Sequence, residues 1–374
     1  MVYRVISFYR YVVLENPECL RVELFEMCKE LHILGRILLA EEGINGAVCG
    51  LEEDIEKFKV FLGEHFSGLT FREQIVLKQS YHKLVVRVRK EIVAFGKEVS
   101  CENTGKHLSP QGLQNLYDGG EDFVIIDARN AHEVEVGKFA GAVALPIKNF
   151  REFPEAIKKM GSLKEKKVVM YCTGGIRCEK ASSYMKAEGF KDVYQLEGGI
   201  INYVSQFPEG YYEGACFVFD DRLTSYVEKP ISSCVFCGVA CGEYTNCYNL
   251  DCDALFVCCV SCRVDMKNTC SSLCKDAPRQ RKMSEVKESL PILGVVENYY
   301  SQAKVALVKL EGDVSVQSCV AFYGSTTKKT REKIVELRDY DGNVLASAQR
   351  GMRVTFPVQE KVREHDTVVL LEKA

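Results

Sequence analysis

Cys172 stands where an apolar run, "KKVVMY", gives way to Thr173, Gly174, Gly175 and Ile176; Arg177 and Cys178 follow, and a helical stretch, "CEKASSYMKAEGF", begins there. A cysteine thiol is mostly protonated near neutral pH, so nucleophilic work at Cys172 demands a setting that lowers its pKa. The sequence offers two such influences. N–H groups at the start of the helix point back at the loop, and the glycines let further backbone amides turn inward. Arg177 adds a fixed positive charge. Together they favour a thiolate at Cys172, or a bulkier anion carried on it such as a persulfide. The Cys172–Arg177 ring is one residue shorter than the phosphate-holding loop of cysteine phosphatases, which suits sulfur better than a whole phosphate. Cys178 reads as a resolving thiol or, more readily, as a capping and packing residue.

A second chemistry-bearing group lies further on. Ten of the 18 cysteines fall between residues 234 and 274. They form four paired steps, Cys234-x2-Cys237, Cys247-x4-Cys252, Cys259-x2-Cys262 and Cys270-x3-Cys274, leaving Cys241 and Cys258 spare. Each step is a knuckle able to give two thiolates to tetrahedral zinc, so four knuckles make two closed four-sulfur sites. A closed site has no open position for substrate, which makes the two zinc ions structural. Spacing leaves the pairing open, interleaved or sequential, and iron–sulfur ligation is the lesser alternative. Disulfides are disfavoured in a chain with no export signal.

The elements that must position these groups follow from periodicity. Residues 1–95 read as strand, helix, strand, strand, helix, strand, with Asn16 and Pro17 opening the first helix and "LVVRVRKEIVAF" as the last strand; the order βαββαβ predicts a ferredoxin-like sandwich. Residues 96–120, with turn residues and a short helix, read as a linker with a lead-in. Over 121–213, strands such as "DFVIIDARN" and "KKVVMYC" alternate with helices. That pattern predicts a parallel sheet covered on both faces, with active residues at the carboxyl ends of strands. Residues 214–278 carry too little apolar pattern to hold together without metal. Residues 279–291 form a polar connector, and 292–374 alternate as a small β-barrel does.

"DFVIIDARNAHEVEVGKFAGAVALP", "VVMYCTGGIRCEKASSYM" and "VYQLEGGIINY" resemble a rhodanese domain, with Asp127 and Arg129 in its acidic-arginine motif and Cys172 at the persulfide-forming position. Together with "AEEGINGAVCG", "RVRKEIVAFG" and "CFVFDDR", these motifs are similar to the rhodanese-related tRNA uridine hydroxylases of bacteria, over residues 1–278. The resemblance implies an oxidoreductase that hydroxylates the wobble uridine of tRNA with molecular oxygen, and hence the tRNA anticodon region as partner. Oxygen use rests on the resemblance alone, since the six histidines form no two-histidine-one-carboxylate pattern and no GxGxxG follows a strand. The thiolate loop by itself supports a sulfurtransferase equally well, and a non-catalytic tRNA-binding scaffold is the third alternative.

Net charge of −3 excludes a uniformly basic nucleic-acid coat, so RNA contacts must come from local patches. Three stand out: Arg87, Arg89 and Lys90; Arg279, Arg281 and Lys282; and Lys328, Lys329, Arg331 and Lys333. Alternation puts Arg87 and Arg89 on one face of their strand. The tail, with "GDVSVQSCVAFYGSTT" and "RGMRVTFPV", resembles the β-barrel of translation GTPases and of some peptidase-like RNA-modification proteins. No stretch approaches the roughly 18 apolar residues of a membrane span, and the expected location is cytoplasmic. The sequence identifies neither the electron donor nor the oligomeric state.

Overall fold

The computed structural model describes residues 3–76, 78–225, 230–281, 292–323, 330–364 and 366–372. The chain forms two compact units, Met1–Ser233 with Ala240–Glu243, and Cys234–Val239 with Tyr244–Ala374.

The first unit opens with β1 (Tyr3–Tyr11), α1 (Pro17–Glu30), β2 (Leu34–Ala40), β3 (Gly43–Leu51), α2 (Glu52–His65), β4 (Phe71–Val76) and β5 (Leu84–Val88). Helix α1 begins where the sequence placed it, with the Asn16 side chain accepting from the Cys19 N–H and Pro17 in the first turn. The sheet runs β4-β1-β3-β2-β5, a ferredoxin-like order with one strand added. The expected last strand is corrected here. "LVVRV" is a fifth strand lying parallel to β2, and the edge beside β1 is taken by Phe71–Val76. That edge segment is polar at Arg72, Glu73 and Gln74 and leaves Ile75 exposed, so no apolar alternation marks it. Nor does the strand continue to Phe95, whose ring is buried against Phe150, Phe153 and Tyr184 in the next domain's core.

Strand alternation divides the N-terminal sheet. Ile6, Phe8, Ile37, Leu39, Ile44 and Val48 pack on one face against Leu24, Cys28, Ile55, Phe58 and Leu62 of the two helices. The other face presents Ser7, Tyr9, Arg36, Asn45 and Arg72 to a cleft.

The second domain of this unit comprises β6 (Lys106–Leu108), α3 (Pro110–Asp118), β7 (Val124–Asp127), α4 (Ala131–Val136), β8 (Gly137–Phe139), β9 (Val143–Ala144), α5 (Phe153–Lys158), β10 (Lys167–Tyr171), α6 (Ile176–Ala187), β11 (Asp192–Leu196) and α7 (Gly199–Gln206). Its parallel sheet runs β6-β11-β10-β7-β9. Alternate residues of β7 and β10 serve opposite faces: Ile126, Val168 and Met170 meet α5 and α6, while Ile125, Val169 and Tyr171 meet α3 and α7. Central β10 ends at Tyr171, so Cys172 emerges from the middle of the sheet's carboxyl edge. β12 (Tyr212–Gly214) then pairs with β8, and β13 (Cys216–Phe217) with β14 (Thr224–Ser225).

The second unit joins the cysteine-rich stretch to the tail. It contains β15 (Tyr244–Asn246), β16 (Leu255–Val257), α8 (Val260–Asp265) and α9 (Ser272–Lys275), followed by β17 (Ile292–Tyr300), β18 (Val305–Leu310), β19 (Val314–Ser315), β20 (Cys319–Tyr323), β21 (Thr330–Lys333), β22 (Leu337–Asp339), β23 (Val344–Leu345), β24 (Ser347–Ala348), β25 (Arg353–Pro357) and β26 (Thr367–Glu372). Eight of these strands form one sheet, β21-β20-β26-β17-β18-β25-β22-β23, curled over a core that includes Val296, Val308, Phe322, Val354 and Phe356. Among the described residues its end strands do not pair with each other, so the expected barrel is a curled open sheet. Val260 and Val264 of α8 pack on Ala321 and Val369, which gives the cysteine-rich piece the apolar support its own sequence lacks. No helix among the described residues is long and apolar enough to cross a membrane.

Within the first unit, Lys180 of α6 joins the two domains. It is almost fully buried, and its Nζ lies 2.9 Å from Glu42 and 2.9 Å from Glu91. Lys180→Met leaves two carboxylates facing each other and should lower stability by about 2 kcal/mol, less than for a wholly buried pair because both carboxylates keep some water. A denaturant midpoint unchanged from wild type would show that this junction carries no load.

Candidate active site

The loop after β10 is held from two directions. On one side α6 begins at Ile176 from a left-handed Gly175. On the other, the first amides of α7 reach back, Ile200 N–H to the Cys172 carbonyl (3.0 Å) and Ile201 N–H to that of Thr173 (3.1 Å). Two glycines are required by this approach. A Cβ at Gly199, whose φ is +66°, would sit 2.4 Å from the Cys172 carbonyl oxygen, and one at Gly175, with φ +100°, 3.0 Å from the Tyr9 hydroxyl.

Cys172 is fully buried, and its Sγ accepts the Gly175 N–H at 3.1 Å. Burial alone would push the thiol up. The Cys178 thiol as donor, the Arg177 charge, and the Arg177 and Gly175 amides outweigh it and bring Cys172 down to about 5. Cys178 moves the opposite way: burial and the neighbouring sulfur hold it well above its ordinary value, so it stays a protonated donor. That is a more specific task than the capping and packing expected of it.

Arg177 does not point freely at a ligand. Its two terminal nitrogens grip Glu133 at 2.6 and 2.7 Å, and Thr173 Oγ1 bridges the pair, accepting from Arg177 at 3.2 Å and donating to Glu133 at 3.3 Å. Glu133 is fully buried; desolvation would raise it, but Arg177 and then Arg129 hold it below the usual carboxylate range. The arginine is thereby fixed as a charge beside the sulfur, with its guanidinium carbon 5.7 Å from the Phe219 ring centre. Asp127 and Arg129 form a fully buried pair, and Arg129 also donates to the Gly137 carbonyl at 2.6 Å. They brace the strand end from below and are absent from the cleft lining.

Sequence reasoning did not find Glu133 as the partner of Arg177. Its visible signal is that of a helix cap, since it lies three residues after Asn130 and accepts the Asn130 N–H at 3.2 Å. The pairing across 44 residues leaves no trace in spacing.

The N-terminal sheet supplies the second wall of a cleft of about 770 Å³ that includes Cys172, Thr173, Gly174, Ile176 and Arg177. Tyr9 donates to Glu179 at 3.0 Å, Tyr11 to the Ile176 carbonyl at 3.3 Å, and Arg72 Nε to the Gly198 carbonyl at 3.1 Å, so this wall is tied to the loop itself. The turn "FDDR" completes the rim: Arg222 is clamped by Asp220 and reaches Gln74 on β4. Of the basic residues singled out in the sequence, Arg89 and Lys90 line the cleft; Arg87 is exposed on the same face as Arg89 but is absent from the lining. Arg279 and Arg281 lie in the other unit, paired with Asp251 and Asp253. Lys333 is exposed there; Lys282, Lys328, Lys329 and the side chain of Arg331 lie outside the described residues.

The eight knuckle cysteines gather as Cys234, Cys237, Cys259 and Cys262, and as Cys247, Cys252, Cys270 and Cys274, with all Sγ atoms of a set within 4.8 Å of one another. The pairing is interleaved, first knuckle with third and second with fourth. Separations of 3.7 Å (Cys237–Cys259), 3.6 Å (Cys252–Cys270) and 3.7 Å (Cys270–Cys274) match the edge of about 3.8 Å of a tetrahedron with ~2.3 Å metal–sulfur arms. N–H donors already face these sulfurs, from Cys262 to Cys259 (3.5 Å), Cys270 to Cys247 (3.5 Å) and Asn249 to Cys274 (3.4 Å), as thiolate ligands require. The residues present therefore fit two four-sulfur metal sites.

Residues 3–92 match a family model described as UPF0176 acylphosphatase like domain, 109–206 the rhodanese-like domain, and 213–275 the rhodanase C-terminal domain. A protein of Cytophaga hutchinsonii named tRNA uridine(34) hydroxylase is 40% identical over 287 residues, covering 75% of this chain and 92% of its own. Proteins of the same name from Chlamydia felis and Bacillus pumilus are 37% identical (77% of this chain, 92% of theirs) and 39% identical (78% and 96%). Among solved structures, the C-terminal domain of a putative U32 peptidase from Geobacillus thermoleovorans is 22% identical, aligning with 21% of this chain and 91% of its own at a TM-score of 0.21.

The alkylation rate of Cys172, followed by peptide mass, should track a single ionisation with a midpoint at about 5, so that the rate is already on its plateau at neutral pH. Cys178→Ala removes a donor to the thiolate and should move that midpoint upward. A wild-type rate still climbing above neutrality, as for an ordinary thiol, would contradict the geometry.

Proposed function

The chain belongs to the tRNA uridine(34) hydroxylase family, and from that membership we propose that it hydroxylates C5 of the wobble uridine of tRNA with Cys172 as nucleophile. The observation that carries this reading is a sulfur held as thiolate on the floor of a cleft whose rim is cationic. In the proposed step the Cys172 sulfur bonds to C6 of the uracil, and the C5–C6 π pair moves toward C5 and O4. C5 becomes electron-rich and bonds one atom of molecular oxygen as the O–O bond breaks. The other atom leaves as water, reduced by an external two-electron donor. Loss of the C5 proton then expels the Cys172 thiolate from C6 and restores the C5–C6 double bond. Molecular oxygen is the co-substrate the family resemblance implies.

The remaining groups have supporting tasks in this scheme. Cys178 and the Gly175 and Arg177 amides stabilise the sulfur both before attack and when it leaves. Glu133 and Thr173 fix the Arg177 charge. The two cysteine sets suit structural zinc, with no part in the reaction, and substrate tRNA makes the cytoplasm the expected location.

The rhodanese-like match favours one alternative, sulfur transfer through a Cys172 persulfide cradled by the same amides. Nucleoside mass spectrometry of tRNA from a deletion strain separates the two. Loss of 5-hydroxyuridine derivatives, restored by wild type but not by Cys172→Ala, supports hydroxylation; loss of thiolated nucleosides supports sulfur transfer. Full hydroxylation with Cys172→Ala would remove the thiolate from the mechanism.

For the metal, elemental analysis of untagged protein should find two equivalents of zinc per chain, one for each cysteine set. Cys234→Ser should cut this to about one equivalent, since thiolate count sets zinc affinity. Neither zinc nor iron near two equivalents in wild type would sink the assignment.

A further inference from the structure

We infer that the cleft takes one unstacked nucleotide, its base resting on Phe219 and its flanking phosphates on Arg36, Arg89, Lys90 and Arg151; this deepens, and rests on, the reading of the protein as acting on tRNA.

Three observations carry it. First, Cys172 has no exposed surface and sits on a cleft floor, so a base stacked inside a helix cannot reach it. The reacting base must enter on its own, as substrates of base-modifying enzymes do. The cleft volume of about 770 Å³ is within the range for a small-molecule site and accommodates a nucleotide unit.

Second, the rim carries uncompensated charge. Arg36, Lys90 and Arg151 have no carboxylate partner among the described residues, and the Arg89 guanidinium reaches only the Val88 carbonyl. Other exposed cations, among them Lys159, Lys191 and Lys361, also have no ion pair among the described residues; what sets these four apart is that they line one cleft. In a chain of net charge −3, leaving four cations unmatched around one opening selects for an anion with several charges spaced along it, and a ribose-phosphate backbone has that form.

Third, Phe219 is an aromatic ring 60% exposed on this same cleft, backed by Phe217 at 5.3 Å and by the Arg177 guanidinium. An apolar ring left in water beside unmatched cations offers a stacking face, and base–aromatic stacking is the sequence-tolerant half of single-strand recognition.

The test is binding of a hairpin RNA with an unpaired uridine in its loop, measured by fluorescence anisotropy across a potassium chloride series. For full-length Arg36→Gln/Arg89→Gln, the slope of log Kd against log salt should flatten by about 1.4, at about 0.7 per lost phosphate contact. Both side chains are exposed, so the melting temperature should match wild type. Phe219→Leu should keep the wild-type slope but bind the hairpin about ten-fold more weakly at fixed salt. Wild-type slope and affinity in the arginine variant overturn the phosphate rim, and wild-type affinity in Phe219→Leu overturns the stacking face. Wild-type protein that ignores the hairpin altogether would instead bring down the tRNA reading on which both rest.

Discussion

A charge on a buried atom is the constraint around which the first unit is organised. Taking the Cys172 sulfur out of water disfavours its ionised form, and a thiol left to burial alone would be inert. Two other fully buried cysteines show this: Cys28 and Cys216 are both pushed up to about 12 by desolvation. What separates Cys172 from them is a set of donors fixed in place before any ligand arrives. Two left-handed glycines allow two helices to start against the same loop, and a buried carboxylate holds the nearby guanidinium still.

The N-terminal domain gives that sulfur a substrate-sized chamber. Its helix-free face would otherwise expose Tyr9, Arg36 and Arg72; here Tyr9, Tyr11 and Arg72 are bonded to α6 and to the turn before α7, while Arg36 remains on the rim. Neither domain builds the site alone. The rhodanese-like domain contributes the Cys172 sulfur and its donors, the N-terminal sheet contributes the wall and most of the charge, and "FVFDDR" returns from beyond the second domain to close the rim. The metal-fitting cysteine sets, by contrast, belong to the other unit, in a stretch with little core of its own.

Much of this was legible in the sequence because it is local. The cap at Asn16, the alternation of strands and helices, the strand-end cysteine and the four knuckles are all set by neighbours within a few residues. What escaped was set by distant partners. The edge strand Phe71–Val76 has no apolar face to announce it, and "LVVRV" looked like the fourth strand because its own pattern is the stronger one. Glu133 carries the signature of a helix cap while meeting an arginine 44 positions away. Which knuckles share a metal depends on the fold between them, and whether a β-rich tail closes depends on its end strands, so neither could be read from spacing.

The proposed bond between the Cys172 sulfur and the pyrimidine ring is tested most directly by mass mapping after incubation with RNA carrying 5-fluorouridine at the target position. Fluorine at C5 hinders completion of the reaction and should leave a nucleotide attached to the peptide that contains Cys172. An unmodified Cys172 peptide, under conditions in which the same preparation hydroxylates unfluorinated RNA, would mean that the sulfur does not bond to the ring.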